Sequence, residues 1–184
     1  MEGESYRKVR LLRWNLYLTQ LLVFVVALAL LQLQGRLTAG LWIPAGWKIW
    51  GAGVASGLAV VAFDRILQRL VSEKRLDDGG FNRLLFQNLS YVEIAGITAW
   101  VALGEEMLFR GALQHWLGII GTSLLFTLLH FRYLKQWILV GAVFGISCLF
   151  GGLTEWTGSL IPAVVAHFTV DFILGLSIRV ARDS

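Results

Sequence analysis

Ala102-Leu103-Gly104-Glu105-Glu106-Met107-Leu108-Phe109-Arg110-Gly111 sets two carboxylates and a guanidinium within six positions of an apolar segment that runs from about Val92 to Gln114. Each ionised side chain near a bilayer midplane costs roughly 2.5 to 3.5 kcal/mol even on lenient insertion scales, so three together oppose insertion unless they face a protein interior or a water-filled cavity. The stretch therefore reads as a membrane span carrying an internal polar site. On a helix, Glu106 and Arg110 stand four apart on one face and can pair, whereas Glu105 is turned by about 100°. One carboxylate is neutralised and the other is left free.

Composition supports a membrane setting. Of the 184 residues, 57% are hydrophobic and 15% charged, and the mean hydropathy is +0.67, which excludes an ordinary soluble domain. A chain of this length accommodates about six spans of roughly 20 residues each. The expected fold is an all-α, polytopic membrane helix bundle of about six transmembrane helices with a cytoplasmic amphipathic segment, forming one integral membrane domain over 1–184. The net charge of +4 does not imply nucleic acid, because the basic residues sit between apolar runs and form no single basic face. The lone cysteine, Cys148, lies inside an apolar run and reads as a small packing residue.

Outward from the charged stretch, the spans fall as follows. Arg7, Lys8, Arg10 and Arg13 precede an apolar run from about Trp14 to Leu33, read as a cytoplasmic flank and span 1. A cleaved signal peptide is the competing reading, disfavoured because the apolar run is long and the small-residue triplet Ala27-Leu28-Ala29 is buried within it. Trp42, Trp47 and Trp50 suit the headgroup level, and span 2 runs from about Ile49 to Leu67. The stretch from Asp64 to Asn88 holds dense charge of both signs around Gly79-Gly80, read as a cytoplasmic loop with an amphipathic helix on either side of the glycine pair. A break near Gly118 to Gly121 separates span 3 from a short span 4 that ends at His130. Span 5 covers about Gln136 to Phe150, Gly151 to Gly158 reads as an outer loop, and span 6 runs from about Leu160 to Ile178. Basic residues recur after every second span, which places both termini in the cytoplasm.

Two more polar clusters interrupt apolar spans: Phe126-Thr127-Leu128-Leu129-His130 and His167-Phe168-Thr169-Val170-Asp171. His167 and Asp171, four apart, share a helical face. A single histidine in a membrane helix is commonly a structural hydrogen-bonding residue. Two histidines, two glutamates and an aspartate on three separate spans point instead to one shared site. His115, Glu155 and Glu93 lie near expected span ends and read as interfacial or loop polarity.

Glu105-Glu106-x-x-x-Arg110, Phe126-x-x-x-His130 and His167-x-x-x-Asp171, in that order, resemble the three signature motifs of the CPBP family, the CAAX prenyl endopeptidases and bacteriocin-processing enzymes also called Abi proteins. The resemblance covers about Trp100 to Phe172, inside a signature-bearing core of about 92–178. It implies a glutamate-dependent intramembrane endopeptidase with helices around a polar cavity. Carried over by position, Glu105 matches the catalytic glutamate that activates a water together with His130. Glu106 matches the residue held by Arg110, Phe126 supports the second motif, and His167 with Asp171 matches the pair that stabilises the oxyanion. Asp171 stands where many relatives carry asparagine. An aspartate donates a hydrogen bond only when protonated, so Asp171 either serves the oxyanion in that form or orients His167.

The leading expectation is thus an intramembrane endopeptidase acting on a peptide or membrane-associated protein at a bacterial cell membrane. The alternative is a non-catalytic membrane protein of the same fold, serving in bacteriocin immunity or as a partner scaffold. A small transporter is less well matched, since no internal repeat is apparent. No cofactor is expected. Zinc is the competing chemistry, because two histidines and a glutamate suffice as catalytic ligands, although the spacing is not that of His-Glu-x-x-His. No Gly-x-Ser-x-Gly nucleophile motif occurs.

Overall fold

The computed structural model describes residues 2–43, 46–72, 75–76 and 79–183. Among them every regular element is helical: α1 (Glu2–Leu33), a 3-10 turn (Ala39–Leu41), α2 (Trp47–Leu70), α3 (Phe81–Phe86), α4 (Tyr91–Glu106), a π-helical stretch (Met107–Leu113), α5 (Gln114–Leu129), a 3-10 turn (Phe131–Tyr133), α6 (Trp137–Thr157) and α7 (Ile161–Asp183). Five helical stretches among the described residues are long and apolar enough to cross a membrane, and the third, Tyr91–Leu129, has 39 residues. That third stretch is not straight. Gly118 adopts φ 64° and ψ 179°, a left-handed φ that glycine reaches without steric cost. The rings of Phe109 and Phe126 are 4.8 Å apart, whereas 17 residues of unbroken helix would separate them by roughly 25 Å. The chain therefore reverses at Gly118, as the break expected there requires, and residues 119–129 form a short return leg against the π-helical stretch. With that leg counted, about six segments enter the bilayer, a polytopic helix bundle.

Small residues set the tightest helix contact. α2 lies along α7 with Gly53 and Gly57 at the seam. A Cβ on Gly53 would sit 2.7 Å from the Pro162 carbonyl oxygen, and one on Gly57 would sit 2.7 Å from Thr169 Cβ. In lipid, where burial of apolar surface between helices brings little gain, such close backbone approach is a main source of association. We expect Gly57→Ala to destabilise the protein by about 1–3 kcal/mol through overpacking, read as a lower midpoint of thermal unfolding in detergent. Gly51→Ala, where a Cβ meets nothing within 4 Å, is expected to leave the midpoint unchanged.

Below that seam Val60 of α2 packs with Phe150 and Leu153 of α6 and Ala163, Ala166 and Val170 of α7. α1 buries Ala27 and Leu31 against Met107, Ala112 and Leu160. Ala27, part of the triplet considered as a cleavage signal, is thus a packing residue. α4 starts at a capping box: Ser90 Oγ accepts from the Glu93 amide at 3.3 Å, and the Ser90 amide donates to Glu93 Oε2 at 2.8 Å. Glu93 also pairs with Arg13 of α1. Its polarity belongs to a helix start tied to α1.

Two expectations change, and one is met in part. Gly151 to Gly158 is not an outer loop, because α6 continues to Thr157 and closes at Gly158, φ 67°. Gly151 there serves packing, its backbone lying so close to Gln114 that a Cβ would come within 2.8 Å of Gln114 Oε1. α1 and α7 extend beyond their apolar runs, to Glu2 and Asp183. Of the two amphipathic helices expected around Gly79-Gly80, α3 follows the pair. The preceding one falls partly on Glu73, Lys74, Asp77 and Asp78, outside the described residues.

Candidate active site

A chain of charged and polar groups crosses the bundle where α4, the π-helical stretch, α6 and α7 meet. Glu106, on the last turn of α4, is 0% exposed. Its Oε1 lies 2.7 Å from His167 Nδ1, and its Oε2 lies 3.2 Å from Arg110 Nε. Arg110 Nη2 donates to the Ser147 carbonyl at 3.1 Å and to Ser147 Oγ at 3.0 Å. The far edge of His167 faces α7's own Asp171, with Nε2 3.4 Å from Oδ2. The series Asp171, His167, Glu106, Arg110, Ser147 links three distant parts of the chain. A buried carboxylate survives only beside charge or donors, and here a guanidinium and an imidazole supply them. The faces of Phe126 and Phe150 cover the guanidinium, 4.9 Å and 5.8 Å from its carbon, as cation–π contacts.

The π-helical stretch carries Arg110. Such stretches recur at functional positions because the i→i+4 ladder is locally given up, and the carbonyls involved need other donors. Gly111 oxygen accepts from Arg36 Nη1 at 2.6 Å and Ala112 oxygen from Gln34 Nε2 at 3.1 Å. Residues just after α1 therefore steady the segment that holds Arg110.

His130 follows the return leg. Its Nδ1 is 2.8 Å from the Phe126 carbonyl oxygen, which can only accept, so Nδ1 carries a hydrogen and, in the neutral ring, Nε2 is the nitrogen with the lone pair. The ring lies tilted against Phe126 and stacks on Tyr133, with centroids 4.4 Å and 5.8 Å away. His130, Arg110, His167 and Asp171 all line one hollow of about 570 Å³. Asp64, Arg65, Gln68 and Arg83 line it as well, at the end of α2 and in α3. The hollow thus runs from the loop side of the bundle into its polar interior.

Glu105 departs from expectation. It is half-buried, its Oε1 accepts from Gln20 Nε2 of α1 at 2.9 Å, and it does not line the hollow. It therefore meets neither His130 nor His167. Adjacent helical positions point about 100° apart, and the packing of α1 and α7 gives the interior direction to Glu106. The pairing of Glu106 with Arg110, and of His167 with Asp171, is as the spacing anticipates. Two participants were not singled out from the sequence, Ser147 and Gln20. Each is a lone polar residue inside an apolar run, which is the signal by which both were accessible. Of the remaining polar candidates, His115 is exposed and Glu155 accepts from Gln114 Nε2 at 3.2 Å. Among the described residues no group of three or more His, Cys, Asp and Glu side chains is arranged to hold a metal ion.

The architecture and the buried ion network are those of a polytopic membrane protein with an intramembrane polar site. Residues 87–173 match the model of the family described as type II CAAX prenyl endopeptidase Rce1-like. The chain is also 39% identical over 146 residues to the uncharacterized protein YpbD of Bacillus subtilis (strain 168), covering 78% of this chain and 77% of that protein. It belongs to the Rce1-like family, a group of membrane proteases within the CPBP proteins. No solved structure matches it.

Proposed function

We propose that this chain is an intramembrane endopeptidase that hydrolyses a peptide bond of a membrane-associated substrate inside the hollow. The observation carrying this reading is the placement of His130, with a free Nε2 lone pair, on the same hollow as Arg110 and His167. A water oxygen attacks the scissile carbonyl carbon while His130 Nε2 takes one of its protons. The negative charge that develops on the carbonyl oxygen is stabilised by the positive field of Arg110 and by His167. When the carbon–nitrogen bond breaks, His130 returns the proton to the departing amine, leaving a carboxylic acid and an amine. Glu106 acts by holding Arg110 and His167 in register, and Asp171 orients the outer edge of His167. Water and side chains suffice for every step.

The entrance beside Arg65 and Arg83 lies on the side where basic residues gather, which we assign to the cytoplasm together with both termini. One observation favours the non-catalytic alternative: Glu106 is fully enclosed and spends both oxygens on protein groups, as a structural cross-link would. Membrane peptidomes separate the two readings. New N-termini that appear in cells carrying the wild-type chain and vanish with His130→Ala support hydrolysis. Identical peptidomes, with both proteins inserted at equal level, would leave only the scaffold.

A further inference from the structure

The 3-10 turn after the return leg holds an aromatic residue that lies outside the three sequence motifs. Tyr133 stacks on the His130 imidazole, with ring centroids 5.8 Å apart and planes 21° from parallel, and it lines the polar hollow together with His130. His130 also lies against Phe126, and the Arg110 guanidinium carbon is 4.9 Å from the centre of that same Phe126 ring. One line of ring contacts thus runs from Tyr133 through His130 and Phe126 to Arg110. The turn is itself held. Asn82 Nδ2 of α3 donates to the Tyr133 hydroxyl at 3.4 Å, and the Tyr133 amide donates to the His130 carbonyl at 2.9 Å. Arg132, one position earlier, stacks 3.6 Å from the centre of the Phe81 ring of α3. α3 in turn is anchored through Leu85, buried with Leu89, Ile94 and Ile97.

We infer that Tyr133 is a positioning residue for His130, its ring fixing the plane of the imidazole so that the Nε2 edge stays presented to the hollow. This rests on the hydrolytic reading above, in which Nε2 takes a proton from the attacking water. The backbone bond does not suffice for that. Nδ1 lies 2.8 Å from the Phe126 carbonyl oxygen, and one hydrogen bond leaves the ring free to pivot about it. The terminal torsion of a histidine is broad and roughly two-fold, so a half-turn that exchanges Nδ1 with its facing carbon is open unless packing closes it. A flat contact on the ring face closes it, because the imidazole would have to stand on edge to pass. His130 needs such a neighbour, since it caps α5 with φ −83° and ψ 48° rather than lying within the helix. A base displaced by about 1 Å forfeits up to about a hundredfold in rate.

The test uses the full-length wild type, Tyr133→Leu, Tyr133→Phe, Phe131→Leu and His130→Ala, with two readouts. Phe131 is an exposed aromatic on the same turn and controls for a change of ring there. Tyr133→Met, flexible and of similar length, is measured alongside, so that the comparison stands if Tyr133→Leu is not inserted. The first readout is the pair of ring-nitrogen resonances of His130 in 15N-histidine-labelled protein in detergent, identified by their loss in His130→Ala and recorded where the imidazoles are neutral. Wild type, Tyr133→Phe and Phe131→Leu are expected to show one tautomer, with the hydrogen on Nδ1. In Tyr133→Leu and Tyr133→Met the two resonances should move toward each other as the freed ring samples both tautomers. The second readout is the rate at which His130-dependent N-termini appear in cells, per inserted protein. It should fall about tenfold or more in Tyr133→Leu and Tyr133→Met and stay close to wild type in Tyr133→Phe and Phe131→Leu. Wild-type resonances in Tyr133→Leu and Tyr133→Met overturn the inference, and a lower unfolding midpoint alone would then assign Tyr133 to packing. A loss in Tyr133→Phe as large as in Tyr133→Leu also overturns it, by assigning the effect to the hydroxyl. In both cases N-termini that still depend on His130 leave the hydrolytic reading standing. Identical peptidomes for wild type and His130→Ala remove that reading, and with no base to position this one falls too.

Discussion

Glu106→Gln is expected to lower proteolytic turnover by at least about a hundredfold, whereas Glu105→Gln changes it only a few-fold. The two substitutions are chemically identical and one position apart, so their contrast isolates geometry. Glutamine at 106 keeps an oxygen for His167 Nδ1 but removes the charge facing Arg110 Nε, 3.2 Å away. Misplacing groups that stabilise a developing oxyanion typically costs about 10²–10³ in rate. At 105 the amide keeps the acceptor that Gln20 Nε2 uses, and nothing on the hollow changes. Turnover is read as the rate of appearance of His130-dependent N-termini, normalised to inserted protein. The reverse order, with Glu105→Gln silent in cleavage and Glu106→Gln near wild type, would return the catalytic role to Glu105 as the motif resemblance implies.

The second large effect concerns stability. Arg110→Ala removes the cation beside a carboxylate that is 0% exposed, and stranding one member of a buried pair costs about 3–5 kcal/mol. The same change deletes the bonds to Ser147 and empties the space between Phe126 and Phe150. Thermal unfolding in detergent should show a clearly lowered midpoint together with lost cleavage. Arg110→Lys restores the charge without the planar fork, so its midpoint should recover in part while activity stays low. An Arg110→Ala protein melting like wild type would mean that the guanidinium carries no structural burden.

How much of this was legible in the sequence depended on which physical rule each residue obeyed. The pairing of Glu106 with Arg110, and the approach of His167 to Asp171, follow from i,i+4 spacing alone. The turn at Gly118 followed from glycine at an expected break. Spacing gives only the angle between Glu105 and Glu106, however, and which of the two faces inward depends on where α1 and α7 lie. That is a tertiary fact. The π-helical stretch was invisible for a related reason: the donors that make it tolerable, Gln34 and Arg36, lie more than 70 residues earlier in the chain. Gly151 misled because glycine marks loops in water but helix contact in lipid. The hollow itself had no local signature, being the gap left between helices.

The return leg after Gly118 has a consequence for the surrounding bilayer. Residues 119–129 rise only about 16 Å, roughly half the hydrocarbon thickness. The turn that follows therefore stops well short of the plane reached by the start of α4. Lipid tails could occupy the space beneath only by bowing the leaflet. α3 is seated there instead, with Arg132 stacked 3.6 Å from the centre of the Phe81 ring and Asn82 reaching the Tyr133 hydroxyl at 3.4 Å. Protein thus fills that space locally, and the hollow lined by Asn82, Arg83 and Tyr133 reaches His130 as an inlet from that side. On the hydrolytic reading proposed above, products would leave along the inlet without crossing an acyl-chain barrier.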